Sequence, residues 1–452
     1  MFQTIEPLKL SEIINATGGT LLSGNADVII TSVTTNSRKA TKGSLFVPLI
    51  GENADGHNYI SGAISNGAAA SLTMKDALHD TNLVKVSDTR LMLSKIANLY
   101  RSKFDITLIA LTGSVGKTTT KEFCANVCDQ KKVTVRTDKN YNNDIGMPFT
   151  LFKLNSSTEA AVVEMGMSNF GEIELLSKTA KPDIAIITNI GTAHIEFLKS
   201  RDGILKAKTE ILTGLKEDGI VILNGDDDKL ITLKGNIKQK TIFIGIENES
   251  CDIVAKNITQ TEDGIKFGIS DHEFLIPIFG IHNVYNALCA YVLGKIFDMS
   301  DEEIQKGYLS YKSDGIRQTI IKKDTFTIIN DCYNANPQSA KSSLDVLKSI
   351  EAKRKIAILG DMKELGEQSN VLHMEVGEYA IRSGADVIIA LGDESRAILE
   401  GAKNAKKGDE EFYHFDTTEE IVSHIKATQK EGDLYLIKGS HSMHMEKISE
   451  LL

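Results

Sequence analysis

No window of this chain approaches the run of roughly eighteen apolar residues that a helix needs to cross a bilayer, so no transmembrane helix is expected. The first residues, MFQTIEPLKLSEII, carry no basic stretch leading into a long apolar core, and no signal peptide is expected. Cysteine is sparse. Cys124, Cys128, Cys251, Cys289 and Cys332 make an odd number without paired metal-ligand spacing. Cys124 and Cys128 stand one helical turn apart. The expectation is buried, small apolar side chains in a reducing cytoplasm rather than a metal site. Basic residues are in the minority, 51 Lys and Arg against 61 Asp and Glu, for a net charge of −10. That balance argues against a general nucleic-acid surface, which favours a basic face. Anionic ligands must then be met by local basic groups and backbone dipoles. Tryptophan is absent, and no low-complexity tract interrupts the chain.

What is present is an ordinary soluble composition, 41% hydrophobic and 25% charged, over 452 residues. That length suits about two to four domains. The most informative stretch is TLIALTGSVGKTTTKE. A β-rich apolar run at 106–111 leads into Gly113-Ser114-Val115-Gly116-Lys117-Thr118-Thr119, and a helix-compatible segment follows. Strand, glycine turn, Lys-Thr and helix make the layout of a phosphate-binding loop. The glycines let backbone N–H groups converge on a polyphosphate. Lys117 is a point charge for the β- and γ-phosphates, and the Thr118 hydroxyl is a hard oxygen suited to Mg²⁺. The loop is shorter than the general pattern, because Leu111 stands where the first glycine belongs.

Residues 1–100 read as a small α/β unit, with a helix at 10–17 ending at Gly18-Gly19 and strands at 28–34 and 44–50. Ser37-Arg38, beside a strand end, could hold a phosphate or form a solvated turn. From 101 to 313, apolar strand candidates at 106–111, 133–136, 160–165, 184–188 and 220–223 alternate with helical stretches. The pattern predicts a parallel sheet covered on both faces, with ligands at the C-terminal strand ends. Polar motifs fall at those ends: Asn140-Tyr-Asn142-Asn143 with the residues to Pro148, Glu164-Met-Gly166, and Asn189-Ile-Gly-Thr-Ala-His194. Glu164 suits the acidic partner that holds Mg²⁺ from a neighbouring strand, or else a capping or solvated carboxylate. His194 suits a ligand by its position next to Asn189-Ile-Gly, or else a satisfied structural histidine. Asp226-Asp-Asp228 reads as a solvated loop, and 241–277 as a hairpin-like region. In the helix expected at 283–297, Asn283 and Asn286 share a face, and their amides could read an adenine edge. Capping is the alternative for Asn283.

Gly315-Ile-Arg317 marks the entry to a third unit, 314–452. Strands are expected there at 326–330, 356–359, 387–391 and 434–437, with helices at 339–350 and 371–383. This alternation predicts a Rossmann-like domain. The Gly-x-Gly-x-x-Gly fingerprint after its first strand is missing, which argues against NAD. In its place stands Asp331-Cys-Tyr333-Asn334-Ala-Asn336-Pro337.

Together these motifs resemble the Mur ligases of bacterial peptidoglycan synthesis over essentially the whole chain. The likeness runs through 113–122, 140–148, 164–166, 189–194, Ala207-Lys208-Thr-Glu210, 280–287, 331–339, 360–366 and 438–440. Tyr333-Asn-Ala-Asn-Pro337 and Gly360-Asp-Met-Lys-Glu-Leu-Gly366 are most similar to the member that adds D-alanyl-D-alanine. The chain departs from the family at Asn36, where an Asp is usual before Ser-Arg, and at His441, where an Arg is usual after Lys-Gly-Ser.

The resemblance implies a cytoplasmic, ATP-dependent ligase, expected to act as a monomer without membrane insertion. It would join D-alanyl-D-alanine to UDP-N-acetylmuramoyl-tripeptide through an acyl phosphate. It implies one Mg²⁺ at Thr118 and Glu164, and a second between His194 and a carbamylated Lys208. Lys117 would neutralise the triphosphate. Asn283 and Asn286 would contact adenine, and Arg317 and Asp331 would reach the nucleotide on closure. Ser37 and Arg38 would take the uridine diphosphate, Asn140, Asn142 and Asn143 the substrate, and Asn334 and Asn336 the incoming dipeptide. The rivals are a folylpolyglutamate synthase-like ligase and a nucleotide-gated binding protein that ligates nothing.

Overall fold

The computed structural model describes residues 1–76, 81–313, 315 and 317–452. Asp314 and Ile316, at the expected entry to the third unit, lie outside the described residues. Each of the three units has a main sheet, and the second unit carries a further small one among the described residues. The first has six strands in the order Phe2–Lys9, Ile29–Thr34, Ser44–Phe46, Ala70–Thr73, Asn82–Lys85 and Thr20–Ser23. Its inner pairings are parallel and its two edge pairings antiparallel. The strand expected at 44–50 stops at Phe46. Pro48 has no N–H to give a ladder, so the run cannot continue in the sheet.

The central sheet has seven strands, all parallel: Ile253–Val254, Lys240–Gly245, Ile220–Asn224, Ile184–Ile187, Thr107–Thr112, Ala160–Glu164 and Thr134–Arg136. Its alternating side chains enter two cores. Ile109, Leu111, Val162, Ile184, Ile186 and Ile222 pack with the helices Lys117–Cys128 and His282–Ile296. Leu108, Ala110, Ala161, Val163, Ala185 and Ile187 face the opposite way, towards the helices Thr89–Arg101, Glu172–Ala180 and Arg201–Thr209. Near-continuous apolar strands are what a sheet buried on both faces requires. Cys124, Cys128 and Cys289 lie in the first of these cores as free thiols, and burial pushes each thiol pKa up.

Two expectations are corrected here. The 241–277 region is not one hairpin. Lys240–Gly245 is a further parallel strand of the central sheet, because Ile242, Phe243 and Ile244 form an apolar run that needs cover on both faces. Only Lys256–Thr261, Gly264–Ile269 and His272–Ile276 form an antiparallel sheet. Nor is Asp226-Asp-Asp228 solvated throughout, since only Asp228 is exposed. Asp226 accepts hydrogen bonds from the N–H groups of Ile246, Glu247 and Asn248 and from the Tyr285 hydroxyl. Asp227 accepts from Ile190, Lys229 and Leu230 N–H, and Asp228 pairs with Arg201. The carboxylates satisfy loop amides that no strand reaches.

The third sheet runs Thr319–Lys322, Phe326–Asn330, Asp433–Lys438, Arg354–Gly360, Val387–Leu391 and Glu411–Phe415, parallel except for its first pair. The helix Thr89–Arg101 seams the first unit to the second. Asp88 caps it through Arg90 and Leu91 N–H. At its far end the buried Tyr100 hydroxyl donates to Leu154 O at 2.7 Å and accepts from Glu6 N–H at 2.9 Å.

Candidate active site

The C-terminal end of the strand Thr107–Thr112 turns through Gly113 and Gly116 into the helix Lys117–Cys128. Both glycines are required. A Cβ on Gly113 would stand 1.8 Å from Thr188 Oγ1, and Gly116 sits at φ +84° with Asn286 Oδ1 2.7 Å from the Cβ position. Asn189 fastens the turn from the neighbouring strand end. Its carbonyl accepts from Ser114 N–H, its side-chain oxygen accepts from Val115 N–H, and its amide donates to Val115 O. Two loop amides are therefore already spent on Asn189. The amides that remain for an anion are those of the first helical turn, which have no carbonyl four residues earlier in the helix to meet. Lys117 Nζ reaches back to Gly113 O at 2.8 Å. Burial lowers its pKa, opposed by the Glu164 carboxylate and reinforced by Arg317.

Glu164 ends the adjacent strand with 2% of its surface exposed. Its two oxygens accept from the Thr118 hydroxyl and the Asn142 amide, both at 2.9 Å. It is neither a helix cap nor a solvated carboxylate. Among the described residues no three His, Cys, Asp or Glu side chains come together to hold a metal. One carboxylate and one hydroxyl therefore suit a hard ion that keeps phosphate and water oxygens as its other ligands. Lys208, on the helix Arg201–Thr209, is 1% exposed. Burial first, and the Lys117 charge second, push its pKa well below the usual lysine range. His194 opens a short helix at φ +63°, and its Nδ1 lies against the carboxylate of Glu364 of the third unit.

A single cavity of about 860 Å³ joins these groups. Ser114, Val115, Gly116, Lys117, Thr118 and Thr119 line it, with Glu164, His194 and Lys208. Asn140, Asn142, Asn143, Asn283, Asn286, Arg317, Asp331, Asn334 and Asn336 line it as well. Gly113 lies beneath the loop instead. Ser37 and Arg38 are outside the cavity, on a short turn capped by the Asn36 side chain, which accepts from Arg38 N–H.

Several of these side chains already have partners. Asn286 accepts from the Thr120 hydroxyl and donates to Asn283 Oδ1, and Asn283 donates to Gln318 Oε1. The two asparagines thus form a buried relay from the loop helix to the third unit. Asn143 caps Gly146 N–H, and Asn336 caps the helix Pro337–Ser349. Burial pushes the Asp331 carboxyl up, but Lys438 at 2.6 Å and the Ser343 hydroxyl at 2.5 Å outweigh it and hold its pKa below the usual range. Arg317 lies over the Tyr333 ring, 3.5 Å from its centroid.

The sequence reading does not single out Arg90, Asp144, His282 or Gln318, all of which line the cavity. Arg90 brings the first unit into it and pairs with Asp144 through Nε and Nη2, one edge of its guanidinium. His282 flanks Asn283, and burial lowers its pKa to about 4. Its place beside the asparagine pair was the available signal. Arg90 carried none, since its partner lies far along the chain.

Comparison with known proteins fits this arrangement. Family models match in three places: the Mur ligase family, catalytic domain at 29–101, the Mur ligase middle domain at 111–294, and the Mur ligase, glutamate ligase domain at 316–441. The UDP-N-acetylmuramoyl-tripeptide--D-alanyl-D-alanine ligase of Bacillus subtilis (strain 168) is 38% identical, over 93% of this chain and 92% of the relative. A crystal structure of MurF from Acinetobacter baumannii superposes with a TM-score of 0.92 at 30% identity, covering 99% of each chain. MurF ligase from Thermotoga maritima, in complex with ADP, superposes with a TM-score of 0.84 at 28% identity, over 93% of this chain and 96% of that one. The chain belongs to the Mur ligase family.

Proposed function

We propose that this chain joins D-alanyl-D-alanine to a UDP-N-acetylmuramoyl-tripeptide with cleavage of ATP to ADP and phosphate. The supporting observation is one cavity that takes Arg90 from the first unit, the phosphate loop from the second, and Asp331, Asn334 and Lys438 from the third. We assign residues 1–100 to the UDP-sugar, 101–313 to ATP and 314–452 to the amine substrate. The enzyme acts as a monomer in the cytoplasm, where ATP and nucleotide sugars are at hand. No helix among the described residues is long and apolar enough to cross a membrane.

In the first step the tripeptide carboxylate attacks the γ-phosphorus, the bond to the β-phosphate oxygen breaks, and ADP leaves. Lys117 leaves the Gly113 carbonyl for the phosphates, and the first-turn amides face them, so the repulsion between two anions is offset. Thr118 and Glu164 would hold one Mg²⁺, and His194 with a carbamylated Lys208 a second. These ions supply Lewis-acid stabilisation of charge on the transferring phosphoryl group. Carbamylation needs an uncharged amine, and the burial of Lys208 favours that form. In the second step the dipeptide amine attacks the acyl carbon and phosphate departs. Asn334 and Asn336 place the dipeptide. Asn283 and Asn286 shape the adenine side through their relay, and Arg317 and Asp331 close on the nucleotide. Closure keeps water from the acyl phosphate. Ser37 and Arg38 take the diphosphate of the sugar nucleotide at a site reached from outside the cavity.

Phosphate release is the test. It should require the UDP-muramoyl-tripeptide and D-alanyl-D-alanine together. Running it with lysine- and diaminopimelate-containing tripeptides identifies the third residue accepted. Release that ignores both substrates would favour a nucleotide switch. The folylpolyglutamate reading is disfavoured by the first unit and its contribution of Arg90 to the cavity.

A further inference from the structure

Two loops from different units meet at His194. One is the central strand-end loop that carries His194. The other is the third unit's loop after the strand Arg354–Gly360, which carries Glu364. The carboxylate of Glu364 lies against His194 Nδ1, out of line for a well-formed hydrogen bond. The backbones also touch, with Glu196 N–H donating to Glu364 O at 3.3 Å. Both partners sit in the left-handed region, His194 at φ +63° and Glu364 at φ +64°. That region disfavours every side chain with a Cβ, and Glu more than His. Glycine would suit position 364 better on backbone grounds alone, as it does two residues on at Gly366, φ +55°. A glutamate kept there calls for a use of its carboxylate. His194 and Lys208 line the same cavity, and the His194 Nδ1 faces Glu364, so Nε2 is the nitrogen left for an ion.

We infer that Glu364 is the positioning residue of the second cation site. With the ion bound, its carboxylate would align to accept from His194 Nδ1, which would fix the tautomer with the lone pair on Nε2 and leave that nitrogen for the ion. Carboxylate–histidine–metal chains orient and strengthen the ligand in this way. The third unit thereby completes an ion site built on the second, so ion binding and domain closure reinforce each other. The inference rests on the reading of His194 and Lys208 as ion ligands.

The experiment is a Mn²⁺ titration read by electron paramagnetic resonance, with Mn²⁺ standing in for Mg²⁺. It is run on the full chain with bicarbonate and a non-hydrolysable ATP analogue. The wild type should bind two ions, and His194→Ala should lose one. Glu364→Gly should bind the second ion about 10- to 100-fold more weakly and leave the first unchanged, with no loss of thermal stability because glycine accepts the backbone angle. Glu364→Gln, which keeps an acceptor oxygen without the charge, should fall between the two. Wild-type affinity for the second ion in Glu364→Gly overturns the inference. Tighter binding overturns it too and makes Glu364 a competitor for His194. Two ions retained by His194→Ala would instead remove the ligand reading, and this inference with it.

Discussion

Lys117 and Lys208 lie on the same cavity with opposite requirements. Lys117 must be charged when a triphosphate arrives, and it has the Gly113 carbonyl and the Glu164 field to support that charge. Lys117→Ala should cost about a hundredfold or more in turnover, as for loss of one charge-stabilising donor, measured as phosphate release at saturating substrates. Lys208 is buried with the Lys117 charge nearby. An amine in that setting is costly to the fold, and a side chain of similar length without a polar end removes the cost. Lys208→Met should therefore melt at a higher temperature than the wild type near neutral pH, while turnover falls by about a hundredfold or more. A melting temperature at or below the wild-type value would mean that the amine is already compensated. Residues of this kind are legible in a sequence because local motifs announce them: a glycine turn for Lys117, a strand end for Glu164. Glu364 and Arg90 are not, because each acquires its meaning from a partner that only the tertiary fold delivers.

Elements show the same division. The helix Leu10–Thr17 is readable to the residue, since Gly18 at φ +66° supplies the C-cap that a Gly-Gly pair announces. Val387–Leu391 is readable as an uninterrupted apolar run, and Phe326–Asn330 as a β-branched, largely apolar one. Phe2–Lys9 mixes exposed and buried positions across a bulge and gives no clean period, so nothing marks it as a strand. Strand Lys240–Gly245 is apolar enough, but the short chain after it suggests a hairpin, whereas it pairs in parallel with Ile220–Asn224 behind it and Ile253–Val254 ahead. A register device of the third sheet is equally hidden. Arg354 and Asp433 face each other at the start of neighbouring parallel strands, with Nε–Oδ1 at 2.9 Å and Nη2–Oδ2 at 2.7 Å. The Asp433 carboxylate is fully buried and also accepts from the Tyr435 hydroxyl. Burial pushes its pKa up, but the Arg354 hydrogen bonds and the Lys430 N–H prevail and hold it below the usual range. A carboxyl with a depressed folded pKa stabilises fully above its unfolded pKa, about 3.9, and loses that contribution as pH falls through the folded value. Asp433→Asn should thus cost about 2 kcal/mol at neutral pH. Urea midpoints of the two proteins should converge as pH drops below about 4. A gap that stayed constant into acid would assign the loss to packing instead of charge.

At the scale of the molecule the two seams differ in kind. The first unit joins the second through a buried helix whose Tyr100 and Arg101 bond to backbone carbonyls of the central unit, at Leu154 and Ala180. The third unit meets the second through polar side chains and loops at the cavity, such as Asn283 with Gln318 and His194 with Glu364, beside apolar contacts in a core cluster common to the units. Apolar burial couples unfolding, while a polar seam across a ligand cleft leaves a unit free to open. The first two units should therefore unfold together and the third apart from them. The absence of tryptophan makes this directly measurable, because one introduced indole is the only such fluorophore in the chain. Phe2, Phe297 and Phe412 are half-buried and report on the first, second and third units. In urea, Phe2→Trp and Phe297→Trp should give coincident transitions, and Phe412→Trp a displaced one. A non-hydrolysable ATP analogue with Mg²⁺ should draw the three together, because a ligand bound across the cleft stabilises the closed arrangement by mass action, about 2.7 kcal/mol at a hundredfold excess over Kd. Three coincident transitions without nucleotide would show that the third seam is as cohesive as the first, and closure would then have to be a smaller motion than the separation of a whole unit.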